Sequence, residues 1–251
     1  MSVKRALRVF QRNLAVYKKL YRSSIVLNFC EPVLYILAFG IGLGAYIKEI
    51  NGVPYMEFIA PGIIASSSMF ASCYECTYGT FVRMNFQRTF EAILSTPVSA
   101  YELILGELLW GASKSVFYGS IIILTLLLLG IFSSFSLFLV LPVLFLSGFV
   151  FAQLSIICAS FVPGIDSFNY FYTLFITPMF LFSGIFFPVD ILPESLRIVA
   201  EFTPLYHLTN LCRGYASGEF YGTIPDLLWL IGFALILFPF PFLLMKRRIV
   251  N

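Results

Sequence analysis

Six apolar segments divide the chain, at about residues 24–47, 56–82, 102–130, 135–162, 168–187 and 226–245. Each reaches the roughly 20 residues that a helix needs to cross the hydrocarbon core of a bilayer. Inside lipid every backbone N–H and C=O must be satisfied within the protein, and unbroken apolar runs of this length do so as helices. The balance of residue types agrees, with 59% hydrophobic and only 12% charged, against the roughly 25% charged of a soluble domain. Pro32, Pro61, Pro142, Pro178 and Pro239 fall inside the apolar segments. Spanning helices tolerate them because neighbouring helices satisfy the freed backbone groups. The expected fold is an all-α membrane protein with six transmembrane helices.

Lysine and arginine set the orientation. Lys4, Arg5, Arg8, Arg12, Lys18, Lys19 and Arg22 precede the first span. Arg83 and Arg88 follow the second, and Lys246, Arg247 and Arg248 follow the sixth. The opposite side keeps only Lys48, Arg197 and Arg213. Both termini and the 83–101 connection are therefore expected in the cytoplasm. Residues 1–22 place Val3, Leu7, Phe10, Leu14, Tyr17 and Tyr21 at helical spacing, with the basic residues on the remaining faces. That pattern describes a basic amphipathic helix lying on an anionic leaflet. The basic region is too long for a cleaved signal peptide, and no small-residue cleavage site follows the apolar run.

Arg83–Glu107 is the most polar run between two spans. Phe86, Phe90, Ile93 and Leu94 recur at helical spacing, while Arg83, Gln87, Arg88 and Glu91 populate the other faces. Ser95-Thr96-Pro97 ends the pattern, since proline cannot continue the hydrogen-bond ladder. A short amphipathic helix over 83–94 either floats at the lipid surface or is gripped by a soluble partner. On the outer side, 48–55 reads as a tight loop and 131–134 as a turn. Residues 188–225 read as two short helices, one after Pro193 and one ending at Gly214. Neither is long enough to span, and both are apolar enough to dip into the outer leaflet.

Ionisable groups inside spans are functional candidates. Counting at 1.5 Å per residue puts Glu31, Glu75 and Glu107 all about 9–10 Å from the cytoplasmic edge, with Lys114 one heptad beyond Glu107. Two roles stay open. The carboxylates form a polar vestibule for an amphiphilic head group, or they lock helices together as buried pairs. A proton-coupled carrier would also place carboxylates there. With His207 the single histidine, the chain has no Ser/His/Asp arrangement and no zinc-binding pattern. No GxxxxGK[ST] loop occurs, so ATP is not expected to bind this chain. The basic residues flank spans and form no free domain, so no nucleic-acid partner is expected. Cys73-Tyr-Glu-Cys76 has redox spacing but lies within a span, where structural cysteines are the simpler reading.

Six stretches carry a resemblance: EPVLYILAFGIGLG at 31–44, YMEFIAPGIIASSSMF at 55–70, FVRMNFQRTFEAILSTPVS at 81–99, GELLWGASKS at 106–115, ITPMFLFSGIFFPVDILP at 176–193 and PLYHLTNLCRG at 204–214. In order and over nearly the whole chain, they resemble the permease subunits of ABC-2 type exporters, most closely the nodulation-factor (lipo-oligosaccharide) exporter permease group. The resemblance implies a permease that is not itself an enzyme. It would pair with a second copy as a homodimer and with two ATPase subunits, which bind the ATP and Mg, in a bacterial inner membrane. It implies that Arg83, Phe86, Arg88, Phe90, Glu91 and Pro97 belong to the helix that the ATPase holds. Residues 1–22 become the interfacial helix, and Pro188, Pro193, Pro204, His207 and Arg213 fall in outer re-entrant helices. An amphiphilic substrate such as a glycolipid, lipo-oligosaccharide or polysaccharide is the expected cargo, with Glu31, Glu75 and Glu107 as candidates along its path. A drug-like cargo on the same architecture, an ion-gradient carrier and a scaffold without transport remain the alternatives. No known sugar or lipid contact is encoded in the sequence, so the resemblance leaves the cargo open.

Overall fold

The computed structural model describes residues 2–132 and 135–250, with the backbone alone for 20–32, 41, 135, 136 and 250. Helix α1 (Val3–Tyr35) continues without a break into a π-helical stretch, Ile36–Gly42, and a 3-10 turn, Leu43–Ala45. The separate interfacial helix expected over 1–22 is therefore the first part of one rod. The reason is local: no glycine or proline occurs before Pro32 to end it. The loop expected at 48–55 contains a two-stranded hairpin, β1 (Glu49–Ile50) against β2 (Val53–Pro54). Its turn places Asn51 and Gly52 at φ of 53° and 77°, the left-handed pair that Asn-Gly favours.

Helix α2 (Tyr55–Tyr74) runs on through π-helical stretches Glu75–Gly79 and Val82–Phe86, making one span of Tyr55–Phe86. The helix expected over 83–94 is thus divided. Its first turns belong to the span, and only α3 (Thr89–Leu94) stands apart, after Arg88 in the left-handed region at φ 49°. Helix α4 (Ala100–Leu128) starts on a capping box in which the Ser99 hydroxyl accepts from the Glu102 N–H and the Glu102 carboxylate accepts from the Ser99 N–H. Helix α5 (Leu141–Phe161) follows, then α6 (Phe168–Phe171), a π stretch Tyr172–Ile176, and α7 (Thr177–Phe182). Two short helices come next, α8 (Glu194–Glu201) and α9 (Pro204–Ser217). The chain closes with α10 (Ile224–Leu237) and α11 (Pro239–Val250).

Among the described residues, four helices are long and apolar enough to cross a membrane: Tyr55–Phe86, Ala100–Leu128, Leu137–Phe161 and Tyr221–Ile249. Four of the six expected spans are matched by these helices. The first apolar segment is helical, but the side chains over 20–32, Glu31 and Pro32 included, lie outside the described residues. The fifth is helical only from Phe168 to Phe182, about 22 Å at 1.5 Å per residue, short of a bilayer core. It stops because Gly184 takes a left-handed φ of 78° and the chain turns back.

Helices α2, α4 and α5 form the centre, with α9 and α10 against them, α1 along α4, and α11 along α4 and α5. The outer connection divides in two. Leu205, Leu208 and Leu211 of α9 are fully buried in the bundle, whereas Ile198 and Val199 of α8 are exposed. A second core at the other end gathers Phe81, Phe90, Leu103, Ile104 and Phe168, so α3 is pinned by Phe90.

Close helix approach sets the packing of α4 on α5. A Cβ at Gly148 would strike the Ser115 side chain and come 3.2 Å from the Ala112 Cα, and the Ser72 hydroxyl donates to the Gly148 carbonyl at 2.7 Å. Backbone cannot step aside as a flexible side chain can. Gly148→Leu should destabilise by about 1–3 kcal/mol or more, read as a lower thermal unfolding midpoint in detergent. Unfolding at the wild-type temperature would contradict this contact.

Candidate functional site

Arg83 is the meeting point of the polar groups inside the bundle. From the last turn of the second span, its Nη1 donates to Glu75 Oε1 at 2.6 Å. Its Nε and Nη2 both donate to Glu107 Oε2, at 3.1 and 2.5 Å. Gly79 makes room for this, since a Cβ there would lie 2.9 Å from Glu75 Oε1 and 3.3 Å from Arg83 Nη1. The Thr80 hydroxyl also donates to Glu107 Oε2 at 3.1 Å, and Asn13 Nδ2 donates to Glu107 Oε1 at 2.7 Å. Glu75 Oε2 faces the Lys114 ammonium at 3.4 Å. Lys114, which the sequence places one heptad from Glu107, thus pairs across to α2's continuation. Its Nζ also sits 3.5 Å from the centroid of the Tyr17 ring.

The cluster extends toward α3. Arg12 donates to Asn13 Oδ1 at 3.0 Å and to Thr89 Oγ1 at 3.3 Å. A continuous path therefore runs from the first residue of α3, through α1, to the carboxylate on α4 and on to Arg83. Burial, and next the charge of Arg83, hold the Arg12 guanidinium below the usual range.

The residues singled out in the sequence fall in different places. Arg83 is turned inward, and Glu75 and Glu107 meet on it. The Glu31 side chain lies outside the described residues. Phe90 is buried, while Phe86, Arg88, Glu91 and Pro97 are exposed around α3. Away from this cluster, His207 Nδ1 lies 2.6 Å from Asp226 Oδ1, and its ring stacks on Trp229 at 4.1 Å. Arg213 donates to the carbonyls of Gly184 at 2.8 Å and Phe58 at 3.3 Å, and burial pulls its guanidinium down to about 10. Pro188 and Pro193 precede short helices, and Pro204 opens α9. These outer residues fasten the connection to the bundle.

Arg12, Asn13, Tyr17 and Thr80 are members that the sequence pattern did not mark. Asn13 carried a signal: Ala6, Val9 and Asn13 share a helical face, and all three are buried.

Long apolar helices, a buried charge cluster at one end and a short, partly exposed helix tied to it describe a multi-pass membrane protein. Residues 6–215 match the ABC-2 type transporter family, and the chain belongs to that family. Its members are transmembrane subunits whose ATPase is a separate chain. The chain is 37% identical over 249 residues to Nodulation protein J of Rhizobium leguminosarum bv. viciae, covering 98% of this chain and 95% of the relative. To Nodulation protein J of Sinorhizobium fredii it is 39% identical over 205 residues, 82% of this chain and 78% of the relative. To the inner membrane transport permease YadH of Escherichia coli it is 24% identical over 202 residues, 80% and 78% of the two chains.

Removing one partner from a buried charge cluster leaves the others uncompensated, typically at about 3–5 kcal/mol. Arg83→Met alone should therefore lower folded protein in the membrane sharply. Arg83→Met combined with Glu107→Gln should recover part of the loss, because Glu75 keeps Lys114. Thermal unfolding of the two variants in detergent tests this; equal midpoints would show that Arg83 and Glu107 do not depend on each other.

Proposed function

We infer that this chain is the membrane-spanning half of an ATP-driven exporter of an amphiphile with a polyhydroxylated head and an acyl tail, of the glycolipid or lipo-oligosaccharide type. The likeness to Nodulation protein J along almost the entire chain supports that cargo class. Two copies work with two ATPase subunits, which hold the ATP and Mg. The assembly sits in a bacterial inner membrane, consistent with the likeness to YadH, with both termini in the cytoplasm as the lysine and arginine distribution indicates.

The observation that carries this reading is the build of the 83–97 segment. Phe90 is held in the core and Thr89 by Arg12, while Phe86, Arg88, Glu91 and Pro97 face outward. One side is anchored and the other presented, which is what a docking element for a soluble motor requires. A proton-driven carrier needs a carboxylate free to gain and lose its proton. Glu75 is instead held by Arg83 and Lys114, and Glu107 by Arg83, Thr80 and Asn13, which argues against that alternative at these two positions.

Charge reversal at the presented face should break docking. Arg88→Glu is expected to lower both co-purified ATPase and ATP-dependent uptake of a mono-acylated oligosaccharide into inverted membrane vesicles by about tenfold, with membrane level unchanged. Arg88→Gly permits the left-handed conformation and removes the whole side chain without reversing its charge, so it should insert normally and fall between the wild type and Arg88→Glu. Wild-type assembly and uptake by Arg88→Glu would end the docking role of that residue. No ATP-dependent uptake by the unaltered complex would overturn the exporter reading for this cargo.

A further inference from the structure

Two cavities of different character meet at one wall between α1 and α4. The first, about 380 Å³, is mixed: Arg12, Asn13, Glu75, Arg83 and Gln87 line it together with Val16, Tyr78 and Val82. The second, about 600 Å³, is apolar, with walls from Phe10, Leu14 and Phe117 and Ser113 beside them. Tyr17, Trp110 and Lys114 line both. Both volumes lie within the roughly 300–1,000 Å³ of ligand pockets. We propose that this paired cavity is a binding site for the cargo amphiphile, taking its saccharide head in the polar chamber and its acyl chain in the apolar groove. The proposal rests on the exporter reading above and locates the cargo within it.

The chemistry of each half selects its part of the ligand. The chamber presents guanidinium donors, a carboxylate acceptor and two amides that do both. Arg83, Glu75 and Asn13 already pair with one another and with Arg12, Glu107 and Lys114, so a sugar hydroxyl, which both donates and accepts, meets the exposed Gln87 amide and the rim of that cluster. Charge alone does not turn a phosphate away, since Arg12, Arg83 and Lys114 outnumber Glu75 in the lining; the choice of a saccharide head rests on the exporter reading, and the phospholipid probe below separates the two. The groove is walled by rings fixed edge to face: Tyr17 lies 5.7 Å from Trp110 and 5.7 Å from Phe117. Such walls offer a preformed apolar surface to one extended chain. At the junction the Lys114 ammonium is seated between the Tyr17 ring and Glu75, so a fixed charge marks where head gives way to tail. Phe117 and Lys18 are exposed at the edge of the groove, which leaves it accessible from outside the bundle.

The test uses the full permease–ATPase complex in lipid nanodiscs. One probe is a mono-acylated oligosaccharide with a diazirine in its acyl chain, and the other is phosphatidylglycerol with the same diazirine. The acylated oligosaccharide should label peptides from α1 and α4 that contain Leu14 and Phe117. An unlabelled copy should compete, whereas the deacylated sugar and unlabelled phosphatidylglycerol should not. Ser113→Trp, which fills the groove, should cut that labelling about tenfold or more. Gln87→Ala, at an exposed position in the chamber, should weaken it about three- to tenfold and leave labelling by a plain monoacyl lipid unchanged. Labelling confined to other helices, or wild-type labelling and transport in Ser113→Trp and Gln87→Ala, would overturn the site while ATP-dependent uptake by the unaltered complex leaves the exporter reading standing. Equal labelling and competition by phosphatidylglycerol would assign the groove to a membrane lipid and overturn the proposal. If the unaltered complex neither labels at this groove nor transports the probe, site and exporter reading fail together.

Discussion

The contact between Arg83 and the two carboxylates Glu75 and Glu107 is the constraint on which the α3 end of this molecule depends. A guanidinium at the end of one span neutralises a carboxylate about two turns earlier in the chain and another on the neighbouring helix. Its fork of donors suits this geometry, whereas a lysine would supply a single mobile charge. Each carboxylate carries further partners, Lys114 on one and Thr80 and Asn13 on the other. The charges are therefore mutually compensated, and none stands alone against the lipid. The π-helical stretches before and after Thr80 accompany the same arrangement, placing Glu75, Thr80 and Arg83 around one point. Such stretches often accompany functional positions in helices.

Helix α1 shows how one helix serves two neighbours. The apolar stripe visible in the sequence, Val3, Leu7, Phe10, Leu14 and Tyr17, does not make its closest packing. Val3 and Leu7 are exposed, and the face pressed to α4 is Ala6, Val9 and Asn13. Small groups allow that approach, since a Cβ at Gly106 would come 2.9 Å from the Ala6 carbonyl oxygen. The larger apolar residues are then left for the groove and for lipid. Hydrophobicity gives no preference between a helix and lipid tails, so small size and hydrogen bonding decide which face meets protein. Asn13 fits that rule through its bond to Glu107.

The same argument explains what the sequence reveals and what it conceals. Apolar length identified the four strongest spans to within a few residues, because crossing hydrocarbon is a property of each segment by itself. It overstated the fifth, whose backbone turns at Gly184 under constraints that hydropathy does not report. Proline at 97 marked the end of the 83–97 segment, but nothing in the periodicity of Phe86, Phe90 and Leu94 showed that the helix would divide at Arg88. That division depends on Arg83 being drawn into the bundle, a contact between distant parts of the chain. Depth counting brought Glu75 and Glu107 to one level. The identity of their partner depended on packing, and Lys114 turned to Glu75 instead of to the residue one heptad away. The Ser99-x-x-Glu102 capping box, which the sequence reading passed over, fixes where α4 begins.

The break at Arg88 has a mechanical consequence. A non-glycine residue in the left-handed region is held at a cost of about 1–2 kcal/mol, so the backbone there stays in place only because its surroundings hold it. Two attachments do so on either side: Arg83 within the bundle, and Phe90 with Thr89 beyond the break. A force applied to the exposed face of α3 meets no continuous helix leading into the span. It passes instead through Thr89 to Arg12, then through Asn13 to Glu107, and so reaches α4 and Arg83 by side chains. Hydrogen bonds of this kind can break and re-form, whereas a helix transmits displacement rigidly. On the reading that an ATPase grips α3, each turnover therefore acts first on the α1–α4 junction, where the polar chamber lies. Binding and release at that junction would then be linked to the motor without any large movement of the central helices.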